Sequence, residues 1–155
     1  MKELAAYENV DLRLFYGSDR PVPAPLVKDL TAIPSAQNVV TLVPVLNPHH
    51  ELCEYRWPVH MICRGYASLK RVKQGRYTLL VYRDPETLKV RFFELNPLTA
   101  DLLKKIQPGR LSIGALIENL AERHRPMDVP SFVTEAMGTL QLLRDKGILL
   151  GYRKK

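Results

Sequence analysis

The sequence predicts an α+β fold for a soluble globular protein. Apolar residues recur at helical spacing near the start and in the last third of the chain. In contrast, residues 77–83 and 88–95 are β-branched and aromatic runs on either side of a turn. The length of 155 residues, with 46% hydrophobic and 25% charged residues, fits one ordinary domain or two small ones.

The first predicted element is a helix from Lys2 to about Tyr16. It ends before a stop signal at Gly17. Its apolar stripe consists of Leu4, Tyr7, Val10 and Leu14. Leu12 and Phe15 widen this stripe beyond that of a surface helix. We therefore expect additional cover for the helix, either from a part of the protein upstream or from a partner.

A proline-rich passage follows, and it permits only short elements. Seven of the twelve prolines fall between Pro21 and Pro58. We expect a short helix at 26–31, a strand at 39–43 ended by Pro44, a turn at 47–50, a second strand at 51–56 and a short helix at 58–63.

The pattern is clearer from residue 77 onward. A hairpin is predicted from the strands 77–83 and 88–95 around a turn with proline at its second place. Three helices follow, at 97–106, after the N-cap Ser112, and from Asp128 to Gly147, and a last strand covers 148–152. This order is that of a winged-helix-like domain. We expect three parts: 1–66, a helix plus a proline-rich strand region packing on the second half; 67–76, a basic connector; and 77–155, the winged-helix-like domain.

The formal net charge of +7 is concentrated in one stretch. Seven basic residues and no acidic residue lie between Tyr55 and Arg83, and the remainder of the chain is neutral. Such a stripe suits a phosphate backbone, a partner protein or an acidic peptide, although a solvated connector has the same composition. The candidate contact residues are Arg64, Lys70, Arg71, Lys73 and Arg76.

Several classes of protein are excluded or disfavoured by the sequence. No apolar run approaches the roughly 20 residues that span a bilayer, and the N-terminus lacks the pattern of a secretory signal. We therefore expect a cytoplasmic protein without membrane contact, whose two cysteines are reduced thiols. The glycine-rich phosphate loop, the nucleophile elbow and the zinc-protease motif are all missing, so we expect no enzyme and no cofactor.

A metal site is a weaker reading of one segment. His49, His50, Cys53, His60 and Cys63 fall within fifteen residues, and each is a common ligand type. The closely paired spacing of metal ligands is missing. We expect no metal, with both cysteines as small buried groups.

The third helix of the second half carries apolar residues on two faces. We expect one face to meet the core, namely Val133, Ala136, Met137, Leu140, Leu143 and Arg144. Phe132 and Leu142 lie on another face, with Glu135 and Thr139 between them, and would mark a docking groove. The alternative is that the N-terminal region covers them.

Two mechanisms fit this architecture. The third helix could enter a DNA major groove, but it carries Glu135 and no Lys or Arg before Arg144, which disfavours contact with phosphates. Alternatively, a peptide could add as a strand to the hairpin, whose returning strand is apolar on both faces. The charge of the helix favours peptide addition.

Three segments, 81–83, 90–103 and 143–149, resemble the precursor-peptide recognition element of ribosomal peptide-maturation systems. Upstream, Arg56-Trp57-Pro58-Val59 and residues 4–8 are similar to a bacterial family long labelled as DNA-binding, whose members resemble the accessory subunit of methanobactin biosynthesis. The resemblance covers nearly the whole chain and transfers no catalytic residue. It implies a partner, an oxidative multinuclear iron enzyme of barrel fold that modifies cysteines in a precursor peptide. It also implies a helical domain ahead of the equivalent of Leu4.

We therefore expect a non-enzymatic accessory subunit that binds a precursor peptide and presents it to that enzyme. The expected peptide-binding residues are Val90, Arg91, Phe93, Phe132, Glu135, Thr139 and Leu142. The alternative is a DNA-binding transcriptional regulator that uses the same winged helix, with residues 70–76 on phosphate.

Overall fold

A computed structural model describes residues 2–17, 21, 26–27, 30, 36–63, 65 and 72–154. The described part contains six helices and five strands, so the α+β class is confirmed. The helices are α1 (Lys2–Tyr16), α2 (Ala36–Val40), α3 (Val59–Cys63), α4 (Pro97–Ile106), α5 (Ile113–His124) and α6 (Val129–Asp145). The strands are β1 (Val43–Leu46), β2 (His50–Tyr55), β3 (Tyr77–Arg83), β4 (Val90–Leu95) and β5 (Leu149–Arg153).

The chain forms two compact units, each built from separated segments. Unit 1 consists of Met1–Arg20 and His49–Asn96, and unit 2 consists of Pro21–Pro48 and Pro97–Lys155. In this division the hairpin shares a unit with α1 and β2, and the expected boundaries at 66 and 77 stay a prediction. The winged-helix-like arrangement of residues 77–155 stays a prediction.

Unit 1 contains an antiparallel sheet in the order β2-β3-β4, with α1 packed on one face. The Tyr7 ring stacks on Phe92 of β4 with 4.2 Å between ring centroids. Val10 and Leu14 pack against Val81 of β3 in the same layer. The predicted helix and its apolar stripe are therefore confirmed. Leu12 and Phe15 are exposed, and their expected cover by an upstream part or a partner stays a prediction.

Polar contacts fix both ends of α1 to the sheet. The Glu3 carboxylate accepts hydrogen bonds from the backbone N–H groups of Arg56 and Trp57, each at 3.1 Å. At the other end, the Arg83 guanidinium donates to the carbonyl oxygen of Gly17 at 3.1 Å. Because the carbonyl groups at the C-terminal end of a helix lack helical hydrogen-bond partners, a cation at this end of α1 is favourable.

Unit 2 contains the antiparallel pair β1 and β5 together with helices α4, α5 and α6. Val27 and Tyr152 exchange two backbone hydrogen bonds of 2.8 Å, which adds a short bridge beside β5. The core is built of fully buried aliphatic side chains on the helices and β5. These include Leu102, Leu103, Ile113, Leu116, Leu120, Leu140, Leu143 and Leu149.

The predicted elements at 39–56 are corrected in part. Residues 36–40 form helix α2, and the strand begins only at Val43, so Pro44 lies inside β1 instead of ending it. This proline is tolerated because β5 is the only neighbour of β1 in the described residues, and an edge strand can lack one N–H donor. Since β1 pairs with β5 and β2 with β3, residues 47–50 do not connect a hairpin.

Other predicted boundaries are confirmed closely. Helix α3, strand β3 and helix α4 form where expected, and Ser112 and Asp128 are the N-caps of α5 and α6. Gly147 follows α6 with φ of 70°, the left-handed conformation that favours glycine. Of the helix predicted at 26–31, residues 28, 29 and 31 lie outside the described residues, and Val27 belongs to a β-bridge.

Candidate functional site

Strand β4 forms an edge of the sheet in unit 1. Its neighbour is β3, and within the described residues no further strand pairs with its other side. An edge strand presents main-chain N–H and C=O groups that another chain can pair with. The predicted ladder of residues 90–95 therefore lies at a sheet edge.

The hydrogen-bond alternation identifies which main-chain groups point outward. The Asp84 N–H donates to Lys89 O at 2.9 Å, which places a hydrogen-bonded pair just before β4. In an antiparallel ladder such pairs alternate, so Arg91, Phe93 and Leu95 bond to β3. The main-chain groups that face away from β3 therefore belong to Val90, Phe92 and Glu94.

The two faces of β4 have different surroundings within unit 1. Val90 and Phe92 pack towards α1, in the cluster that contains Val10 and Leu14. Arg91 and Phe93 project from the opposite face, since successive side chains of a strand alternate. The prediction that β4 carries apolar residues on both faces is confirmed. Of the candidate residues on β4, Arg91 is exposed and Val90 and Phe93 are half-buried.

Two charged side chains of β4 have partners nearby. The Arg91 Nε donates to Asp84 Oδ2 at 2.7 Å, and the Arg91 side chain is 51% exposed. On the α1 face, Glu94 Oε2 lies 3.0 Å from His60 Nε2, and the Glu94 side chain is 49% exposed. Glu94 was not among the predicted site residues, although its place three residues after Arg91 puts it on the opposite face of the strand.

Asp84 holds the turn before β4. Its Oδ1 accepts the backbone N–H groups of Glu86 and Thr87, each at 3.0 Å. The Thr87 N–H makes the largest contribution to lowering the pKa of Asp84 below its ordinary value, and Glu86 and Arg91 lower it further. The turn therefore holds an ionised carboxylate that also orients Arg91.

The candidate residues on α6 are only partly exposed. Phe132 is 7% exposed, so the prediction that it lies on an exposed face of the helix together with Leu142 is wrong. It belongs to the buried stripe of Ala136, Leu140 and Leu143, because residues four and eight positions apart share one face. Val133 and Met137, which we expected in the core, are half-buried.

The remaining candidates on α6 lie at its surface. Leu142 is 45% exposed, and Glu135 is also exposed. Thr139 is half-buried, and its Oγ1 donates to the Glu135 carbonyl oxygen at 2.9 Å. The hairpin candidates belong to unit 1, and the helix candidates belong to unit 2.

The basic stretch is described in part. Arg64, Lys70 and Arg71 lie outside the described residues, whereas Lys73 and Arg76 are exposed. The Arg76 guanidinium pairs with Glu54 at 3.1 Å across the strand ends. Arg83, at the end of the stretch, binds the last turn of α1.

Two of the histidines in the hypothetical metal site contact other side chains. His49 Nε2 lies 3.0 Å from the Arg83 guanidinium, and His60 bonds to Glu94. In the part of the chain that the structure describes, no three His, Cys, Asp or Glu residues form a group that could hold a metal ion. Cys63 is exposed, which corrects its expected burial, whereas partial burial of Cys53 raises the pKa of its thiol.

None of the described helices is both long enough and apolar enough to cross a bilayer. Among protein families, the model of the HvfC C-terminal domain matches residues 47–144. This match spans β2 to α6 and includes both sets of candidate residues. A comparison with curated proteins gives no match.

Proposed function

Because the chain belongs to the HvfC C-terminal domain family, we propose that it is a non-enzymatic accessory subunit of ribosomal peptide maturation. In this proposal it binds a precursor peptide as an added strand on β4. It then presents the peptide to an oxidative multinuclear iron enzyme, the partner that the sequence resemblance implies.

One observation supports peptide binding above the others, namely the outward main-chain groups of Val90, Phe92 and Glu94 on the edge strand β4. These groups offer a preformed ladder, and strand addition obtains affinity from such main-chain hydrogen bonds. The packing of Tyr7 and Val10 behind β4 holds the strand in place before a peptide arrives. Little ordering of the receptor is then required on binding.

The test uses synthetic peptides that tile the short open reading frames beside the gene. Each is titrated into the ¹⁵N-labelled full chain, and amide shifts are followed by NMR. We expect one cysteine-containing peptide to shift the amide signals of Val90–Leu95. If every binding peptide leaves these signals unchanged, strand addition to β4 is wrong.

A matched pair of variants sharpens this test. Val90→Pro removes an outward N–H at the first position of the strand, where proline is tolerated. Val90→Ala shortens the side chain and keeps the N–H. We expect Val90→Pro to weaken peptide affinity by about fivefold relative to Val90→Ala, the equivalent of one hydrogen bond of ~1 kcal/mol. Equal affinities of the two variants would contradict the ladder.

DNA binding through α6 is the alternative, and its salt dependence differs. Phosphate contacts release counterions, so DNA affinity would fall by orders of magnitude between roughly 50 and 200 mM salt. Peptide addition through main-chain groups changes far less over this range. Fluorescence anisotropy with a duplex and with the binding peptide, measured at both salt concentrations, distinguishes the two mechanisms.

A further inference from the structure

The two charged residues of β4 differ in face as well as in sign. Arg91 projects from the face opposite α1, and Glu94 projects from the α1 face beside α3. A peptide strand added to β4 would place alternate side chains on these same two faces. Each charge of β4 therefore lies beside one defined position of an added strand.

Both side chains keep polar groups that their recorded partners do not use. The Arg91 Nε donates its N–H to Asp84. The other four of the five N–H donors of the guanidinium lie on its two terminal nitrogens. His60 pairs with the Oε2 atom of Glu94. The Oε1 atom of the same carboxylate can accept a hydrogen bond from another group. Because each side chain is about half exposed, both can meet a charged group on a neighbouring strand.

We propose that β4 selects a peptide with a basic residue followed three positions later by an acidic residue, with apolar residues between them. This inference rests on the proposed function, since it specifies the peptide that adds to β4. The basic side chain lies opposite Glu94 and the acidic one opposite Arg91. The intervening residues lie opposite Phe93 and Phe92, and opposite charges in directly facing pairs stabilise a ladder.

The order of the charges follows from an antiparallel orientation. Both strand pairs in the described part of unit 1 are antiparallel, and antiparallel pairing is slightly more stable per residue than parallel pairing. An antiparallel peptide meets Glu94 before it meets Arg91. The basic residue therefore precedes the acidic one, and the opposite order would bring like charges together.

Two peptides of identical composition and net charge test this order. They are Thr-Lys-Val-Val-Glu-Val-Thr and Thr-Glu-Val-Val-Lys-Val-Thr, both acetylated and amidated. We expect the first to bind the full chain about tenfold more tightly, as measured by NMR titration, since the second replaces two attractive pairs with two repulsive ones. Equal affinity, the reverse preference or no binding of either peptide would overturn the proposed charge order.

Charge-exchange variants assign the preference to the two residues. Arg91→Glu combined with Glu94→Arg should invert it, whereas Glu86→Lys combined with Lys89→Glu exchanges charges in the adjacent turn and should leave it unchanged. The single variants Arg91→Gln and Glu94→Gln should each reduce the preference to about threefold. Neither of them introduces a new charge beside Asp84 or His60. An unchanged preference in both single variants would contradict the assignment.

A methylated peptide separates this inference from the proposed function. A methyl group on the peptide amide opposite Phe92 removes a main-chain donor and leaves every side chain in place. If the methylated peptide loses affinity while the charge order has no effect, strand addition stands and the charge pattern is wrong. If methylation leaves affinity unchanged, strand addition itself is wrong.

Discussion

At the residue scale, the contact between Tyr7 and Phe92 joins the helix to the edge strand. Tyr7 is nearly buried, and its ring also meets Tyr55 edge-on with centroids 6.3 Å apart. Aromatic contacts of this kind add to the free energy of area burial. The sequence alone predicted that Tyr7 lies on the apolar stripe of α1, because its spacing from Leu4 and Val10 is helical.

Removal of this ring should destabilise the protein. We expect Tyr7→Ala to lower the free energy of unfolding by about 3 kcal/mol, since a large buried aromatic side chain is lost. Tyr16→Ala removes the same group where it is 78% exposed and should change stability by less than about 0.5 kcal/mol. Urea unfolding of both variants checks this, and similar losses in the two would contradict the packing of α1.

Asp84 predicts a pH dependence of stability. Its pKa is lower in the folded chain than the ordinary 3.8, so the unfolded state binds its proton first as pH falls. The stabilisation by the carboxylate is complete above the ordinary pKa and is lost as pH falls through the lower folded value. We expect the difference in Tm between the natural chain and Asp84→Asn to be constant above about pH 5 and to shrink below 3.8. A difference that stays constant down to pH 2 would contradict this role.

At the scale of elements, most helices and strands were predictable because their signals are local. Proline at the start of α4, the caps Ser112 and Asp128, and Gly147 after α6 act within a few residues. The strand expected at 39–43 failed because Val39 and Val40 have high strand propensity but lie in a short helix. Strand propensity depends on neighbouring strands, and the partner of β1 is about one hundred residues away in sequence.

Helix α6 shows how a face assignment can fail. Two apolar stripes compete in its sequence, and the buried one includes Phe132. We expect Phe132→Ala to cost about 3 kcal/mol of stability, whereas Leu142→Ala should cost less than about 1 kcal/mol because that side chain is half exposed. Chemical denaturation measures both values. Comparable losses would show that the two residues share one environment after all.

At the scale of the whole molecule, each unit joins segments that are far apart in the chain. Asn47 and Ile148 share a backbone hydrogen bond of 2.8 Å, and the Asn47 side chain donates to Gly147 O. No local sequence pattern reveals such pairing. The sequence therefore predicted the strand β5 but did not predict that β1 is its partner. The same limit applies to β4, where the strand and its two apolar faces were predictable. Its register with β3 was needed to tell which main-chain groups point outward.

The pairing of β1 with β5 makes a truncation prediction. Removal of residues 149–155 would leave β1 without its partner and would delete the fully buried Leu149 and Tyr152. We expect this truncation to abolish cooperative thermal unfolding of unit 2, monitored by circular dichroism. Removal of residues 154 and 155 alone should be neutral, and cooperative unfolding of the longer truncation would contradict the role of β5.

The edge of β4 that faces away from β3 makes the isolated protein prone to self-association. Main-chain donors and acceptors do not distinguish a guest peptide from the same strand of another molecule. At high concentration, chains without a bound peptide would therefore pair with one another through these groups. A peptide bound to the edge of β4 would keep the protein soluble, and loss of that peptide from a cell would favour aggregation of the free subunit.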